Sequence, residues 1–371
     1  MYMMKTENAK KTLTSGEWVV TNVYGLGPQG EYLYFQGTRE SPLERHIYRV
    51  KLRNAKIEQL SPVAGAHSAS FASDMAHWLD TYSSKVIPKR VVLRKADGKE
   101  IASLVEAENP LEEYEVGDME IGTIKAADGK TDLYYRLIKP TDFDPDKKYP
   151  AVVYVYGGPH AQLVTNSWLG GARMWNYYMA QKGYVMLTVD NRGSANLGFG
   201  FENVIHRHLG KTEVLDQMEG IKLLKSLDYV DADRIGVHGW SYGGHMATRL
   251  MLEYPGMFKV GVAGGPVIDW RLYEVMYGER YMDTPQENPE GYAQSRLIDK
   301  ADKLKGRLLI VHGGRDPVVV LQHSRLFIKE AISAGVPVNS FIYPEAEHNV
   351  GGYDRVHLMN KVTRYFDDFL K

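Results

Sequence analysis

Gly239-Trp240-Ser241-Tyr242-Gly243-Gly244 is the stretch whose reading decides the fold. Arg234-Ile235-Gly236-Val237-His238 leads into it as a short apolar strand, and Tyr242 to Leu252 leads out of it as a helix. A strand, a glycine-lined turn and a helix with serine at the apex make a nucleophile elbow. The turn is too tight for a Cβ beside the serine, so glycines flank it. The serine oxygen then stands clear at a helix N-terminus, where free backbone N–H groups favour an oxyanion. The bare pattern Gly-x-Ser-x-Gly is weak in a chain with 36 glycines in 371 residues. An ordinary glycine-rich turn between strand and helix is the competing reading, and the context argues against it.

The remaining pieces lie downstream in order. Arg307-Leu308-Leu309-Ile310-Val311-His312 reads as a buried strand and runs into Gly313-Gly314-Arg315-Asp316-Pro317, with an acid just past the strand end. Phe341-Ile342-Tyr343-Pro344 is followed by Glu345-Ala346-Glu347-His348-Asn349. Ser241, Asp316 and His348 thus occur in the chain order of α/β-hydrolases. An imidazole in this role takes the serine proton and passes it to the leaving group, while the carboxylate orients it and stabilises its cation. Rivals are weaker. Of the 12 histidines, His238 lies inside the strand before the elbow and reads as a core residue. His312 ends a strand and reads as a loop holder. His206, His208 and His323 fall in polar helix-like segments and are expected to be exposed. Asp190 precedes Ser241, the wrong order for this fold, and is expected to anchor the Asn191-Arg192-Gly193 loop. Asp269 is the other competitor.

Composition narrows the classes. The net charge is -1 with both signs interspersed, which suggests no nucleic-acid partner. No run of about 20 apolar residues could span a membrane. The first residues, Met1 to Asn8, lack the apolar core of a signal peptide. With no cysteine, disulfides, thiol catalysis and thiolate metal sites are excluded. No spaced His/Asp/Glu set reads as a metal site, neither a dinucleotide turn nor a phosphate loop occurs, and no cofactor is expected.

Two regions differ in pattern. Residues 1–112 read as short strands separated by turns: Trp18 to Tyr24, Glu31 to Gln36, His46 to Lys51, Ile57 to Leu60, His77 to Tyr82, Arg90 to Arg94 and Ile101 to Val105. Their spacing of roughly ten residues suits about two blades of a β-propeller, too few to close a ring. Glu31-Tyr32-Leu33-Tyr34-Phe35-Gln36-Gly37 resembles a tag-protease site, but its flanks continue the strand pattern and we read it as native. Residues 113–371 alternate strand and helix. Strands are expected at Leu133 to Lys139, Ala151 to Tyr156, Tyr184 to Asp190, Ile235 to His238, Lys259 to Ala263, Leu308 to His312 and Asn339 to Tyr343. Helices are expected at Leu215 to Leu227 and Asp354 to Leu370, the latter with Met359, Val362, Phe366 and Leu370 on one face. This is an α/β fold with a mostly parallel sheet covered on both faces, preceded by an incomplete propeller-like segment. The elbow sits at the carboxyl edge of a central strand, where such sheets bind ligands.

Five ordered motifs carry a family resemblance: Tyr154-Val155-Tyr156-Gly157-Gly158-Pro159, Asp190-Asn191-Arg192-Gly193-Ser194, the Ser241 elbow, Tyr277-Gly278-Glu279-Arg280-Tyr281-Met282 and Glu347-His348-Asn349. With them residues 115–371 resemble the prolyl oligopeptidase class of serine peptidases, in the dipeptidyl peptidase IV branch. Gly264 to Trp270 and Asp316-Pro317-Val318-Val319-Val320 are most similar to bacterial prolyl tripeptidyl aminopeptidase. The resemblance implies that Ser241, Asp316 and His348 form the triad. It implies that the Tyr156 hydroxyl joins the Tyr242 N–H in the oxyanion hole, and that Val267, Trp270, Tyr273, Tyr277 and Val319 line a proline pocket. Aromatic faces suit a rigid apolar ring, although at helical spacing such residues are more often plain core. Glu274 matches a glutamate that holds the substrate amine in tripeptide-releasing relatives; a solvated helix glutamate is the alternative.

The expected function is therefore a serine exopeptidase that cuts proline-containing peptides after proline near a free N-terminus, through an acyl-enzyme. Many dipeptidyl relatives carry Asp-Asp-Asn where this chain has Asp316-Pro317-Val318. The missing amide shifts the expectation from dipeptide toward tripeptide release. The family also carries a long propeller in front, of which only the last blades are expected here, so the chain reads as the C-terminal half of a longer peptidase or as a truncated reading frame. A periplasmic or cell-envelope location would follow for that longer protein, and a homodimer through the hydrolase domain is an assembly the resemblance allows. The competing functions are a general esterase or acylaminoacyl peptidase, and a catalytically silent fragment.

Overall fold

The computed structural model describes residues 3–6 and 9–371. The signal-peptide reading of residues 1–8 therefore lies partly outside the described residues. The chain divides into two compact units, one of Met1–Tyr114, Val164–Arg173 and Ala195–Gly200, the other of Glu115–Leu163, Met174–Ser194 and Phe201–Lys371.

In the first unit, β1 (Met3–Thr6) and β2 (Ala9–Thr12) form a hairpin. β3 (Val20–Leu26), β4 (Tyr32–Gly37), β5 (His46–Lys51) and β6 (Ile57–Gln59) form one antiparallel meander. β7 (Ala66–Phe71), β8 (His77–Ser83), β9 (Arg90–Lys95) and β10 (Glu100–Glu106) form a second. Each meander has the construction of one propeller blade. Alternation explains them: Tyr34, Ile47, Leu60 and Trp78 point into a common buried cluster, and Phe35, Tyr48 and Val50 point into another with Leu13. β7 escapes a sequence reading because Ala66-His67-Ser68-Ala69-Ser70-Phe71 is small and polar; it is a strand because it pairs with β8 along its whole length. The short segment Val164–Arg173 belongs to this unit through side-chain bonds, with Asn166 Nδ2 donating to Glu44 Oε1 at 2.7 Å and the Trp168 N–H to Ser83 Oγ at 3.2 Å.

The second unit holds one eight-stranded sheet. Its strands are β11 (Met119–Lys125), β12 (Asp132–Ile138), β13 (Tyr149–Tyr154), β14 (Val185–Val189), β15 (Val230–Trp240), β16 (Val260–Gly264), β17 (Arg307–Gly313) and β18 (Asn339–Tyr343). The order is β11-β12-β14-β13-β15-β16-β17-β18, antiparallel up to β14 and parallel from there on. This is an α/β-hydrolase sheet. β13, β14 and β16 are buried throughout, as continuous apolar strands between two helical layers must be. The helices are α1 (Met174–Gln181), α2 (Phe199–Glu202), α3 (Lys211–Ser226), α4 (Tyr242–Glu253), α5 (Val275–Met282), α6 (Pro289–Ser295), α7 (Gln322–Ser333) and α8 (Gly352–Leu370). α4 is buried from Tyr242 to Leu252 and makes its packing with β15 and β16, so the elbow is anchored in the centre of the core. α8 buries Val362, Phe366 and Leu370 on its apolar stripe. No helix of the described residues is long and apolar enough to cross a membrane.

Candidate active site

Ser241 lies between β15 and α4, with φ 62° and ψ -117°. A non-glycine residue holds such angles only when its surroundings force them. Here the Ser241 N–H donates to Gly264 O at 2.8 Å and the Ser241 carbonyl accepts from the His245 N–H at 3.0 Å. The turn closes so tightly that a Cβ on Gly243 would stand 2.3 Å from Val155 O. Any side chain there would push β13 and α4 apart.

Asp316 and His348 come from the loops after β17 and β18. His348 Nδ1 donates to Asp316 Oδ2 at 2.7 Å. An ionised carboxylate only accepts, so Nδ1 carries the proton and Nε2 is left as the base. Asp316 Oδ1 accepts from the Val318 and Val319 N–H groups, both at 2.9 Å. Burial works to raise the Asp316 carboxyl, but hydrogen bonds from His312, His348 and the Val319 N–H outweigh it and hold the group well below the ordinary carboxylate range. The two loops pack without a gap: a Cβ on Gly313 would stand 2.3 Å from Glu347 O, and the Arg315 N–H donates to Ala346 O at 3.0 Å. The pair is tied to the elbow by Trp240, whose indole N–H donates to His348 O at 2.9 Å. On the other side, a Cβ on Gly265 would lie 3.6 Å from both Asp316 Oδ2 and His348 Nδ1.

Sequence reasoning gave His312 the part of a loop holder. His312 Nε2 donates to Val319 O at 2.7 Å and lies 3.5 Å from Asp316 Oδ2, while Nδ1 accepts from Ser324 Oγ at 2.7 Å. It therefore grips the acid loop and faces the carboxylate itself. His238 is a core residue as expected, bonded to Val262 O at 3.0 Å. Asp190 accepts the Leu163 N–H at 2.9 Å; the Asn191-Arg192 loop is held also by Asn191 Nδ2 on Gly157 O and by Arg192 on Asp216. One expectation is corrected. His323 is fully buried instead of exposed, because the Ile268 and Asp269 N–H groups need an acceptor and its Nδ1 supplies one. His208 is exposed and His206 half-buried. Asp269 is engaged with Arg271 and Arg296.

Tyr156 follows β13 and its ring lies 6.1 Å from that of Tyr242. Burial, then the neighbouring Tyr154 and Tyr281, raise its pKa, so the phenol keeps its proton and can donate. If the Tyr156 hydroxyl serves the oxyanion hole as the resemblance implies, Tyr156→Phe should lower kcat/KM by about 10²–10³ with little change in KM, measured on a proline anilide; an undiminished rate would remove the hydroxyl from that role.

The aromatic residues assemble on one side of the elbow. Trp270 stacks on Tyr277 at 5.8 Å and 14°, Tyr273 meets both rings edge-on, and Tyr242 lies 5.3 Å from Trp270. After burial itself, Tyr156 raises the pKa of Tyr273 and of Tyr277, so its phenol lies near both. Val267 and Val319 are fully buried; Val267 O accepts from His245 Nδ1 at 2.8 Å, and Val319 lies on the acid loop. Glu274 is exposed and caps α5 by accepting the Met276 N–H at 3.1 Å. Glu213 and His245, buried behind Tyr242, gave no signal in the sequence; the helix expected from Leu215 begins earlier, at Lys211, and takes in Glu213. Among the described residues, no group of three or more His, Cys, Asp or Glu is arranged to hold a metal.

Residues 172–371 match the prolyl oligopeptidase family, and residues 1–89 match the dipeptidyl peptidase IV (DPP IV) N-terminal region. The chain belongs to the prolyl oligopeptidase family. Within that family it stands in the dipeptidyl peptidase IV branch. A crystal structure of a candidate dipeptidyl aminopeptidase IV from Bacteroides ovatus is 51% identical with a TM-score of 0.94, covering 98% of this chain and 52% of that one. The Porphyromonas gingivalis dipeptidyl peptidase 4 structure is 36% identical with a TM-score of 0.92, covering 98% and 51%. Human dipeptidyl peptidase 8 is 34% identical over 94% of this chain and 41% of its own length. This prolyl oligopeptidase-family chain thus spans about half the length of the relatives it matches.

Burial also gives the family member a pH signature. It pushes His323 down to about 4 and His245 down to about 3. Both stay neutral in the fold while an unfolded histidine takes a proton near pH 6.5. Stability from these groups is therefore complete above about pH 6.5 and is lost as pH falls toward their folded values. His323→Asn keeps an acceptor for the Ile268 N–H and removes one such proton. The slope of unfolding free energy between about pH 4.5 and 6 is expected to drop by about 1.4 kcal/mol per pH unit. Urea titrations at stepped pH measure it, and an unchanged slope would refute the assignment.

Proposed function

We propose that this chain is the catalytic part of a serine exopeptidase that cleaves after proline near a free N-terminus. The observation that carries the reading is the His348–Asp316 hydrogen bond of 2.7 Å, held against the Ser241 elbow by Trp240. Ser241 Oγ attacks the carbonyl carbon after proline as His348 Nε2 takes its proton. The Tyr242 N–H and Tyr156 hydroxyl donate to the oxyanion, and Asp316 balances the imidazolium. The imidazolium then protonates the leaving amine, and water repeats the sequence on the acyl-enzyme. Trp270, Tyr273 and Tyr277 receive the proline ring beside this centre, with Val267 and Val319 filling the aliphatic side.

Tripeptide release is the finer reading. It is supported by Pro317-Val318 after the acid, which offers no amide side chain, and by the exposed Glu274 carboxylate next to Tyr273, open to a substrate ammonium. Dipeptide release is favoured instead by the names of the relatives. Rates on Xaa-Xaa-Pro, Xaa-Pro and N-blocked proline anilides, with short acyl esters alongside, separate the possibilities. Turnover of esters alone, or equal turnover of blocked and free peptides, would count against the exopeptidase. Tyr277→Ala removes the face that stacks on Trp270. The preference for proline over alanine is expected to fall about 10-fold or more, while labelling of Ser241 by a fluorophosphonate stays within a few-fold. Equal losses on both substrates would dismiss the pocket.

A further inference from the structure

Behind the serine turn lies a buried acid that the reaction scheme above leaves unused. Glu213, in the first turn of α3, is fully buried. Its Oε1 accepts from the Tyr242 hydroxyl at 2.6 Å and from the Gly210 N–H at 2.9 Å. Its Oε2 is buried with no hydrogen-bond partner among the described residues, and no cation among them is paired with it. Arg249, on α4, is the cation that faces it, and that side chain is engaged with Glu253 at 2.9 Å and Leu209 O at 3.0 Å. The other titratable groups around it are Tyr242 and His245 from α4 and Tyr277 from α5.

These neighbours keep one charge state near neutrality. Burial holds His245 far below its usual range and raises both tyrosines. Burial raises the Glu213 carboxyl to about 7, against the bonds from Tyr242 and Gly210. Glu213 is thus the member of this cluster that changes charge in the neutral range. The residue it holds is Tyr242, whose N–H adjoins Ser241 and whose ring lies against Trp270.

We propose that Glu213 is a positioning residue for the serine turn: its carboxylate grips the Tyr242 hydroxyl, fixing the ring and the N–H, and the grip loosens when the carboxyl takes a proton. A charge-assisted hydrogen bond is about twice as strong as a neutral one, so the ionised form holds the ring more firmly although its burial is costly. The inference rests on Ser241 being the nucleophile.

The test follows fluorophosphonate labelling of Ser241 and thermal unfolding from about pH 5.5 to 8.5, in the full chain and in Glu213→Gln and Tyr242→Phe. The amide introduced by Glu213→Gln mimics the protonated acid, so the pH profile separates loss of the charge from a general effect on folding. Glu213→Gln should label within about 2-fold of the parent at the acid end and about 10-fold more slowly at the alkaline end. Tyr242→Phe should show the same profile, and adding Glu213→Gln to it should change little. A ratio independent of pH would overturn the proposal. Folded-state stability from Glu213 is present in acid and is lost as pH rises through about 7. The melting temperature of the parent should therefore fall relative to Glu213→Gln over that rise. If the folded parent is not labelled at any pH, the nucleophile assignment fails by itself; a melting gap that is flat with pH overturns the Glu213 proposal whatever the labelling shows. Should Glu213→Gln not fold, Tyr242→Phe alone decides by its pH profile.

Discussion

Ser241→Ala is expected to abolish acyl transfer, lowering kcat on a proline anilide by about 10⁶ and removing fluorophosphonate labelling altogether. The size follows from chemistry. On the proposed mechanism the hydroxyl forms the covalent intermediate, and alanine would leave His348 Nε2 with no proton to take. The fold should survive, because the interactions that hold position 241 come from its backbone: the N–H on Gly264 O and the carbonyl under the His245 N–H. Alanine tolerates φ 62° no better than serine does, so stability should change little. Residual turnover within 100-fold of the parent, with an unchanged near-ultraviolet circular dichroism spectrum, would mean that another group is the nucleophile.

Asp316→Asn is the second large effect, expected to lower kcat/KM by about 10⁴. Two N–H groups, those of Val318 and Val319, converge on Oδ1. The amide oxygen of asparagine must take that side, which turns its NH₂ toward His348 Nδ1 and His312 Nε2. A donor then faces His348 where an acceptor stood, and the imidazole moves its proton to Nε2. In that tautomer Nε2 has no lone pair to receive the serine proton. His312 Nε2 also meets a donor in place of the carboxylate, which should strain the acid loop and lower the melting temperature modestly. Burst kinetics on an activated ester check the claim. A loss of only a few-fold would show that the Asp316–His348 bond orients nothing that matters to the reaction.

The elbow was legible because it is local. Glycines at 239, 243 and 244, an apolar run before Ser241 and a helix after it all lie within about five residues of one another, and their geometry follows from sterics alone. The parallel sheet was legible for a related reason: strands buried on both faces are written as continuous apolar runs, as Ala151 to Tyr154 and Leu308 to Val311 are. β7 and β11 were not, since Ala66-His67-Ser68-Ala69-Ser70-Phe71 and Met119-Glu120-Ile121-Gly122-Thr123-Ile124-Lys125 carry weak patterns and become strands through their partners. Residue burial was least legible where polar groups are concerned. His323 sits in a polar stretch and is buried because two N–H groups opposite it need an acceptor.

The sequence by itself determined the order of serine, acid and histidine, the class of sheet that presents them, and membership of a family through motifs spread over residues 115–371. Tertiary structure decided what those residues touch. It brought the loops after β17 and β18 close enough for Asp316 and His348 to bond, set His312 on the same carboxylate, placed Val164–Arg173 with the first unit, and buried Glu213 behind Tyr242 with no counter-ion among the described residues. His312 and Asp316 are four residues apart, but the Asp316–His348 and Glu213–Tyr242 bonds depend on chain segments about thirty residues apart meeting in a shared low-dielectric space. Desolvation and hydrogen-bond partners are properties of that space, and no run of neighbouring residues encodes them.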